Sequence, residues 1–134
     1  TYPDNEIVWA HMGLSKELGS MDPHQQVAIM KRLLDRHPNL WLDISWDVLY
    51  NEYHQWGDVF LPFFHEYSTR ILPGTDFVAA GSKPVEQYAR ELEVTSRALR
   101  RLNDEAFRNI ALGQNYFELL GLDFVAPPVC GADD

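Results

Sequence analysis

The chain has 134 residues, of which 46% are hydrophobic and 23% are charged, a composition typical of one globular domain. With 11 basic and 20 acidic residues its formal net charge is -9, so the sequence excludes the basic surface that nucleic acids and anionic membranes require. Neither a transmembrane run nor a signal peptide is predicted. The single cysteine, Cys130, cannot form an intrachain disulfide, so cysteine content does not determine the cellular compartment of the protein. The cytoplasm is favoured.

Three apolar runs predict β-strands that are buried on both faces, at residues 7–10, 40–44 and 70–73. Runs without polar alternation are typical of parallel strands that helices cover on both sides. Helical patterns follow each run, which is the rhythm of βαβ units. Three strands are too few for a closed barrel or an open doubly wound domain and would leave both edges of a parallel sheet unprotected, so we expect the chain to be incomplete.

Three longer helices are predicted. The first begins with Asp22 as its N-cap and Pro23 in the first helical position, and its core stripe contains Val27, Met30, Leu33 and Leu34. The second covers residues 58–67, at the end of a segment rich in aromatic residues. The third follows the last strand, with Ser82 as a candidate cap, and its apolar stripe contains Val85, Tyr88, Leu92, Leu99 and Leu102.

Shorter helices are expected near the end of the chain. Asn103 begins one of them and Gly113 interrupts it. Asn115 and Glu118 have the spacing of a capping box, which predicts the start of a last helix. Residues 123–134 contain two prolines and are expected to form a frayed tail.

A polar side chain follows each predicted strand: His11, Ser45 and Asp76. The carboxyl ends of parallel strands lie on one rim, where ligands bind in α/β folds, so we expect these side chains to lie together. His11 and Asp76 also have a structural interpretation. A histidine near a strand end, such as His11, is by itself more often a hydrogen-bonded structural residue. Asp76 is equally consistent with a turn cap. Asp43 is consistent with a loop anchor, whereas Ser45 at the rim is a candidate contact for substrate.

An aromatic segment follows the second predicted strand and so begins at the same rim. One interpretation is a wall that binds an apolar or aromatic substrate. The interpretation that we favour is ordinary packing of a helix against the sheet. The aromatic residues of this segment are Trp46, Tyr50, Tyr53, Trp56, Phe60, Phe63 and Phe64.

Four segments together resemble the amidohydrolase-related superfamily, in its branch with the aminocarboxymuconate and resorcylate decarboxylases. IVWAHMG at residues 7–13 is similar to the family's strand-six motif, and HPNLWLDIS at 37–45 is similar to strand seven. RILPGTDF at 70–77 resembles strand eight, and the sequence from residue 102 to residue 122 resembles the closing helices. The resemblance implies a (β/α)8 barrel of which residues 1–122 form the last three βα units and residues 123–134 a carboxyl-terminal tail.

The resemblance also implies the site. His11 would orient or deprotonate a water or donate to the substrate, and Asp76 would bind one divalent metal, expected to be zinc, and handle a proton. Ser45 and Trp46 are the candidate substrate-binding residues. The family's other metal ligands, a His-x-His pair on strand one and a histidine on strand five, do not occur in this chain. His24, His37 and His65 are expected to be structural or surface residues.

The implied function is hydrolysis of a C–N or C–O bond by metal-activated water. Two alternatives stay open: metal-dependent decarboxylation of an aromatic or unsaturated acid, and a non-catalytic barrel segment that acts through assembly. The expected partners are a small-molecule substrate and either a second copy of the chain or the rest of the barrel, with no nucleic acid and no membrane. The segment by itself is expected to be inactive.

Overall fold

The sheet has three parallel strands in the order β1-β2-β3: β1 (Ile7–Trp9), β2 (Leu40–Asp43) and β3 (Ile71–Leu72). It comes from a computed structural model that describes residues 4–13, 19–45, 48–49, 53–77 and 84–129. Val8 pairs with Trp41, and Leu42 pairs with Ile71. The parallel order is as predicted, and each strand ends one residue earlier than predicted because the chain turns away at the rim.

The first helix, α1 (Pro23–Arg36), begins as predicted. The Asp22 carboxylate accepts hydrogen bonds from the backbone N–H groups of His24 and Gln25, at 2.9 and 3.3 Å, which satisfies donors that a helix start leaves unpaired. Its predicted stripe faces the core. The apolar spacing of three and four residues therefore placed this helix correctly.

The second helix, α2 (Tyr53–Glu66), begins earlier than predicted. Phe60, Phe63 and Phe64 are each 1% exposed and form the centre of the core, which confirms the packing interpretation for these three rings. Tyr67, just after α2, donates a 2.8 Å hydrogen bond to Asp35 of α1. Burial and this hydrogen bond raise the pKa of Tyr67 to about 12, so its hydroxyl keeps the donated hydrogen well above neutral pH.

The third helix, α3 (Val85–Leu99), carries the predicted apolar stripe, but only the end of that stripe reaches the core. Leu99 and Leu102 pack there, whereas Val85 is 77% exposed and Leu92 is also exposed. The predicted cap, Ser82, lies outside the described residues. An amphipathic pattern shows which face is apolar, but it does not show what covers that face.

Two short helices complete the described chain: α4 (Asp104–Ala106), which continues as a π-helical turn (Phe107–Ala111), and α5 (Gln114–Leu119). The Asn103 side chain accepts a 2.8 Å hydrogen bond from the Ala106 N–H, which confirms its predicted capping role. The capping box predicted at Asn115 is wrong. Gly113 precedes α5 as its cap residue, and Asn115 lies inside the helix, fully buried.

Asn115 instead connects α5 to the third strand. Its Nδ2 donates to the carbonyl oxygens of Ser68 and Ile71, at 2.7 and 2.6 Å. Both carbonyls precede α5 by more than 40 residues in the sequence. The sequence pattern resembles a cap, but the side chain points into the protein because α5 packs against β3.

The first strand differs from its prediction. Ile7 and Val8 are 45% and 43% exposed. Successive residues of a strand point to opposite faces, so these two side chains report on both faces of β1. Both faces of β1 are therefore open to solvent, whereas Leu40, Trp41 and Leu42 of the central strand are buried. The prediction of burial on both faces holds for β2 and fails for β1, because β1 pairs with β2 alone in the described sheet.

The tail packs more closely than predicted over its described part. The Phe124 ring stacks on Phe117 with centroids 4.0 Å apart, and the Ala126 N–H donates a 2.7 Å hydrogen bond to Gln114 of α5. A frayed tail is therefore wrong for these residues. Among the described helices, none has the length and apolar character that crossing a bilayer needs.

Candidate functional site

The rim at the carboxyl ends of the strands brings together His11, Ser45 and Asp76, as the sequence predicts. His11 Nδ1 lies 3.1 Å from Ser45 Oγ, and His11 Nε2 lies 3.8 Å from Asp76 Oδ2. His11 follows β1 and Asp76 follows β3, so the two edges of the sheet contribute facing groups. The parallel strand order makes this convergence possible, because it puts all three strand ends on one side.

A tight turn, Ala10–Gly13, positions the histidine. His11, Met12 and Gly13 have φ angles of 55°, 53° and 67°, a left-handed conformation that residues other than glycine adopt rarely. A Cβ at position 13 would lie 2.2 Å from the Trp9 ring. Glycine is required there for both its φ and its size, and the turn sends the His11 side chain over the end of β2.

Asp76 has a left-handed backbone as well, with φ at 51°. His11, Met12 and Asp76 are the non-glycine residues of the described chain with positive φ. The Asp76 side chain is 40% exposed and that of His11 is 26% exposed, so solvent or a small molecule can reach the space between them. Their roles in metal binding and proton transfer stay predictions.

Asp43 joins the site through Ser45. Its Oδ1 accepts a 2.6 Å hydrogen bond from the Ser45 N–H, and its Oδ2 accepts a 3.0 Å hydrogen bond from the Ser45 hydroxyl. Asp43 Oδ2 also lies 4.0 Å from His11 Nδ1. Ser45 is only 3% exposed, and its hydroxyl contacts both Asp43 and His11. Its predicted contact with substrate stays a prediction.

Tyr116 of α5 is a neighbour of the site that the sequence interpretation missed. Its hydroxyl donates to the carbonyl oxygen of Pro73, directly after β3. Burial raises the pKa of Tyr116, and the nearby negative charge of Asp43 raises it further. No local pattern marks this tyrosine, since it reaches the rim only because α5 packs beside β3.

Not all the predicted residues can be placed. Trp46 lies outside the described residues, as does Tyr50 of the aromatic segment. His65 has a structural role, because its Nε2 accepts a 3.1 Å hydrogen bond from the Asn103 N–H ahead of α4. His24 and His37 are exposed and lie at the two ends of α1.

As for a metal, the described residues contain no group of three or more His, Cys, Asp and Glu side chains placed to hold an ion. Asp76 Oδ2 would be one ligand of such an ion, since a carboxylate oxygen is a suitable donor for zinc. Two ligands of one tetrahedral zinc ion, each about 2 Å from it, stand about 3.3 Å apart, whereas His11 Nε2 lies 3.8 Å from Asp76 Oδ2 and suits a contact with a water on the ion. A complete site needs further ligands beyond Asp76.

No protein-family model, curated protein or solved structure matches this chain. The resemblance to the amidohydrolase-related superfamily therefore stays a prediction, which rests on the sequence motifs. The described part of the chain is an α/β structure with a three-stranded parallel sheet.

Proposed function

We propose that this chain is the carboxyl-terminal part of a (β/α)8 enzyme similar to amidohydrolases, which hydrolyses a C–N or C–O bond. The observation that carries the proposal is the 3.8 Å approach of His11 Nε2 to Asp76 Oδ2 at the rim. These two residues are 65 positions apart and come from the two edge strands. They were selected from sequence motifs alone, and their convergence supports a shared task.

The two groups suit hydrolysis. A divalent metal bound by Asp76 would supply water whose pKa is lowered to about 7. The Asp76 carboxylate would be one ligand of that metal and would take up a proton through its second oxygen. The His11 imidazole would orient the attacking water from Nε2 or protonate the leaving group, the work for which a histidine is suited near neutral pH.

The backbone at both residues also supports the proposal. Left-handed φ angles at residues other than glycine cost of the order of 1–3 kcal/mol each, and such conformations cluster at functional sites. His11 and Asp76 both have this geometry.

Substitution of the two residues in the full-length protein tests the proposal. Asp76→Asn should abolish turnover and weaken metal binding, because it removes a charged ligand. His11→Ala should retain the metal while kcat falls about 10² to 10⁴-fold, the usual contribution of a positioned acid or base. The measurements are metal content by mass spectrometry and kcat on amide, ester and aromatic carboxylic acid substrates, of which the acids report decarboxylation.

Two exposed residues away from the rim provide matched controls. Asp123→Asn and His24→Ala change the same residue types at exposed positions and should leave metal content and kcat unchanged. Normal metal content and near-normal kcat in both Asp76→Asn and His11→Ala would contradict the proposal and return both residues to structural roles.

A further inference from the structure

A chain of hydrogen bonds runs from Asp43 through Ser45 to His11. Asp43 Oδ2 accepts from the Ser45 hydroxyl at 3.0 Å, and Ser45 Oγ lies 3.1 Å from His11 Nδ1. The Ser45 N–H donates at 2.6 Å to the other oxygen of the same carboxylate. The carboxylate therefore holds both the backbone and the side chain of Ser45, which leaves the hydroxyl little freedom to rotate.

The donors and acceptors along this chain determine the position of a proton. A serine hydroxyl has one hydrogen to donate, and an ionised carboxylate can only accept. Because the Ser45 hydroxyl donates its hydrogen to Asp43, Ser45 Oγ can only accept a hydrogen bond from His11 Nδ1. Nδ1 of the neutral imidazole must therefore carry the hydrogen, and Nε2 must be the nitrogen without one. Nε2 is the atom that faces Asp76.

We propose that Asp43 and Ser45 are positioning residues, which hold His11 in the Nδ1–H tautomer so that Nε2, on the Asp76 side, carries no hydrogen and can act as a base. The proposal deepens the hydrolase function proposed above, and it gives Ser45 a role in orienting the histidine rather than in binding substrate. A carboxylate that fixes the tautomer of a catalytic histidine is a common arrangement. Here a serine hydroxyl transmits the effect.

The surroundings keep the serine in place. Ser45 is 3% exposed, and Gly74, after β3, lies against it so closely that a Cβ at position 74 would be 3.0 Å from the Ser45 Cβ. The same added atom would be 3.8 Å from Asp43 Oδ1. The loop after β3 therefore packs closely on the Asp43 and Ser45 pair, and a side chain at position 74 would press on Ser45.

Asp43→Asn gives the sharpest test, because it reverses the predicted direction of the hydrogen bonds. The amide oxygen can still accept from the Ser45 N–H, but the amide nitrogen donates to Ser45 Oγ. The hydroxyl must then donate to Nδ1, and the hydrogen on the neutral imidazole moves to Nε2. Ser45→Ala removes the connection altogether and should leave a mixture of the two tautomers.

The ¹⁵N chemical shifts of the histidine rings measure this directly, in full-length protein labelled with ¹⁵N-histidine and purified without added metal. The spectra are recorded at alkaline pH, so that the neutral rings and their tautomers are observed. Wild-type His11 should be in the Nδ1–H form and Asp43→Asn in the Nε2–H form. His65 is an internal control, since its Nε2 accepts from the Asn103 N–H and it should stay Nδ1–H in every variant.

Kinetics separate this proposal from the proposed function. If the protein is a hydrolase, Asp43→Asn should lower kcat about 10² to 10⁴-fold with little change in KM, because the base carries its hydrogen on the wrong atom. If wild-type protein shows no turnover, the hydrolase function fails while the tautomer result still stands. An Nε2–H tautomer of wild-type His11, or unchanged His11 shifts in a folded Asp43→Asn variant, would overturn the positioning role.

Discussion

At the scale of single residues, the turn after β1 depends on Gly13. The Trp9 ring lies where a side chain at position 13 would be, and three consecutive residues of the turn have positive φ. Two of them, His11 and Met12, have side chains and adopt this conformation at a cost. Burial of Met12 offsets part of that cost. The turn is therefore maintained by the packing around it, and the orientation of His11 follows from that packing.

Gly13→Ala should lower the free energy of unfolding by about 2–4 kcal/mol, from left-handed strain plus the clash with Trp9. Gly121→Ala is the matched control, because Gly121 has a φ of 62° but an added Cβ would meet nothing within 4 Å. Gly121→Ala should lower the free energy of unfolding by the backbone strain alone, about 1 kcal/mol. Urea denaturation measures both, and equal costs would show that Trp9 does not pack against position 13.

At the scale of elements, α5 is held to the sheet by one buried amide. Asn115 contacts the carbonyl oxygens of Ser68, in the turn ahead of β3, and Ile71, within β3. Asn109 of the π-helical turn donates at 3.1 Å to the Ser68 hydroxyl. These contacts determine where α5 lies, and so they also place Tyr116 beside the rim.

Asn115→Ala should therefore destabilise the protein by about 2–4 kcal/mol, because two buried carbonyl groups lose this donor and a cavity is left. Asn109→Ala removes a single hydrogen bond at a half-buried position and should cost about 1 kcal/mol. Thermal denaturation of the two variants compares them. If Asn115→Ala and Asn109→Ala destabilise the protein by similar amounts, Asn115 does not anchor α5.

At the scale of the whole molecule, apolar side chains are exposed at several places in the described part of the chain. Ile7 and Val8 of β1 are open to solvent, and so are Val85, Tyr88 and Leu92 along α3. In a barrel, β1 would pair with a preceding strand and have both faces buried. An exposed edge at β1 is therefore expected if this chain forms the last three βα units of a barrel.

Val8→Lys in the full-length protein tests this expectation. If barrel strands cover β1, burial of a lysine there should cost about 3 kcal/mol or more. Val125→Lys is the control, since Val125 is 77% exposed and a surface substitution usually changes stability by less than about 0.5 kcal/mol. A Val8→Lys cost as small as that of the control would show that β1 is an open edge and would contradict the barrel.

The sequence by itself predicted features that depend on neighbouring residues. Asp22 and Asn103 cap their helices because a cap contacts N–H groups only two or three positions away. The apolar runs located the strands to within a residue or two, and a parallel sheet has all its carboxyl ends on one rim. That rule alone predicts that His11, Ser45 and Asp76 lie together.

Tertiary structure alone decided the features that depend on distant partners. Asn115 has the spacing of a cap, yet its partners lie on a segment more than 40 residues earlier. The stripe of α3 and the run of β1 are apolar, but hydrophobicity does not specify which surface will cover a side chain. The hydrogen on His11 is decided by Ser45 and Asp43, 34 and 32 positions away, because a tautomer depends on the groups that surround the ring in space.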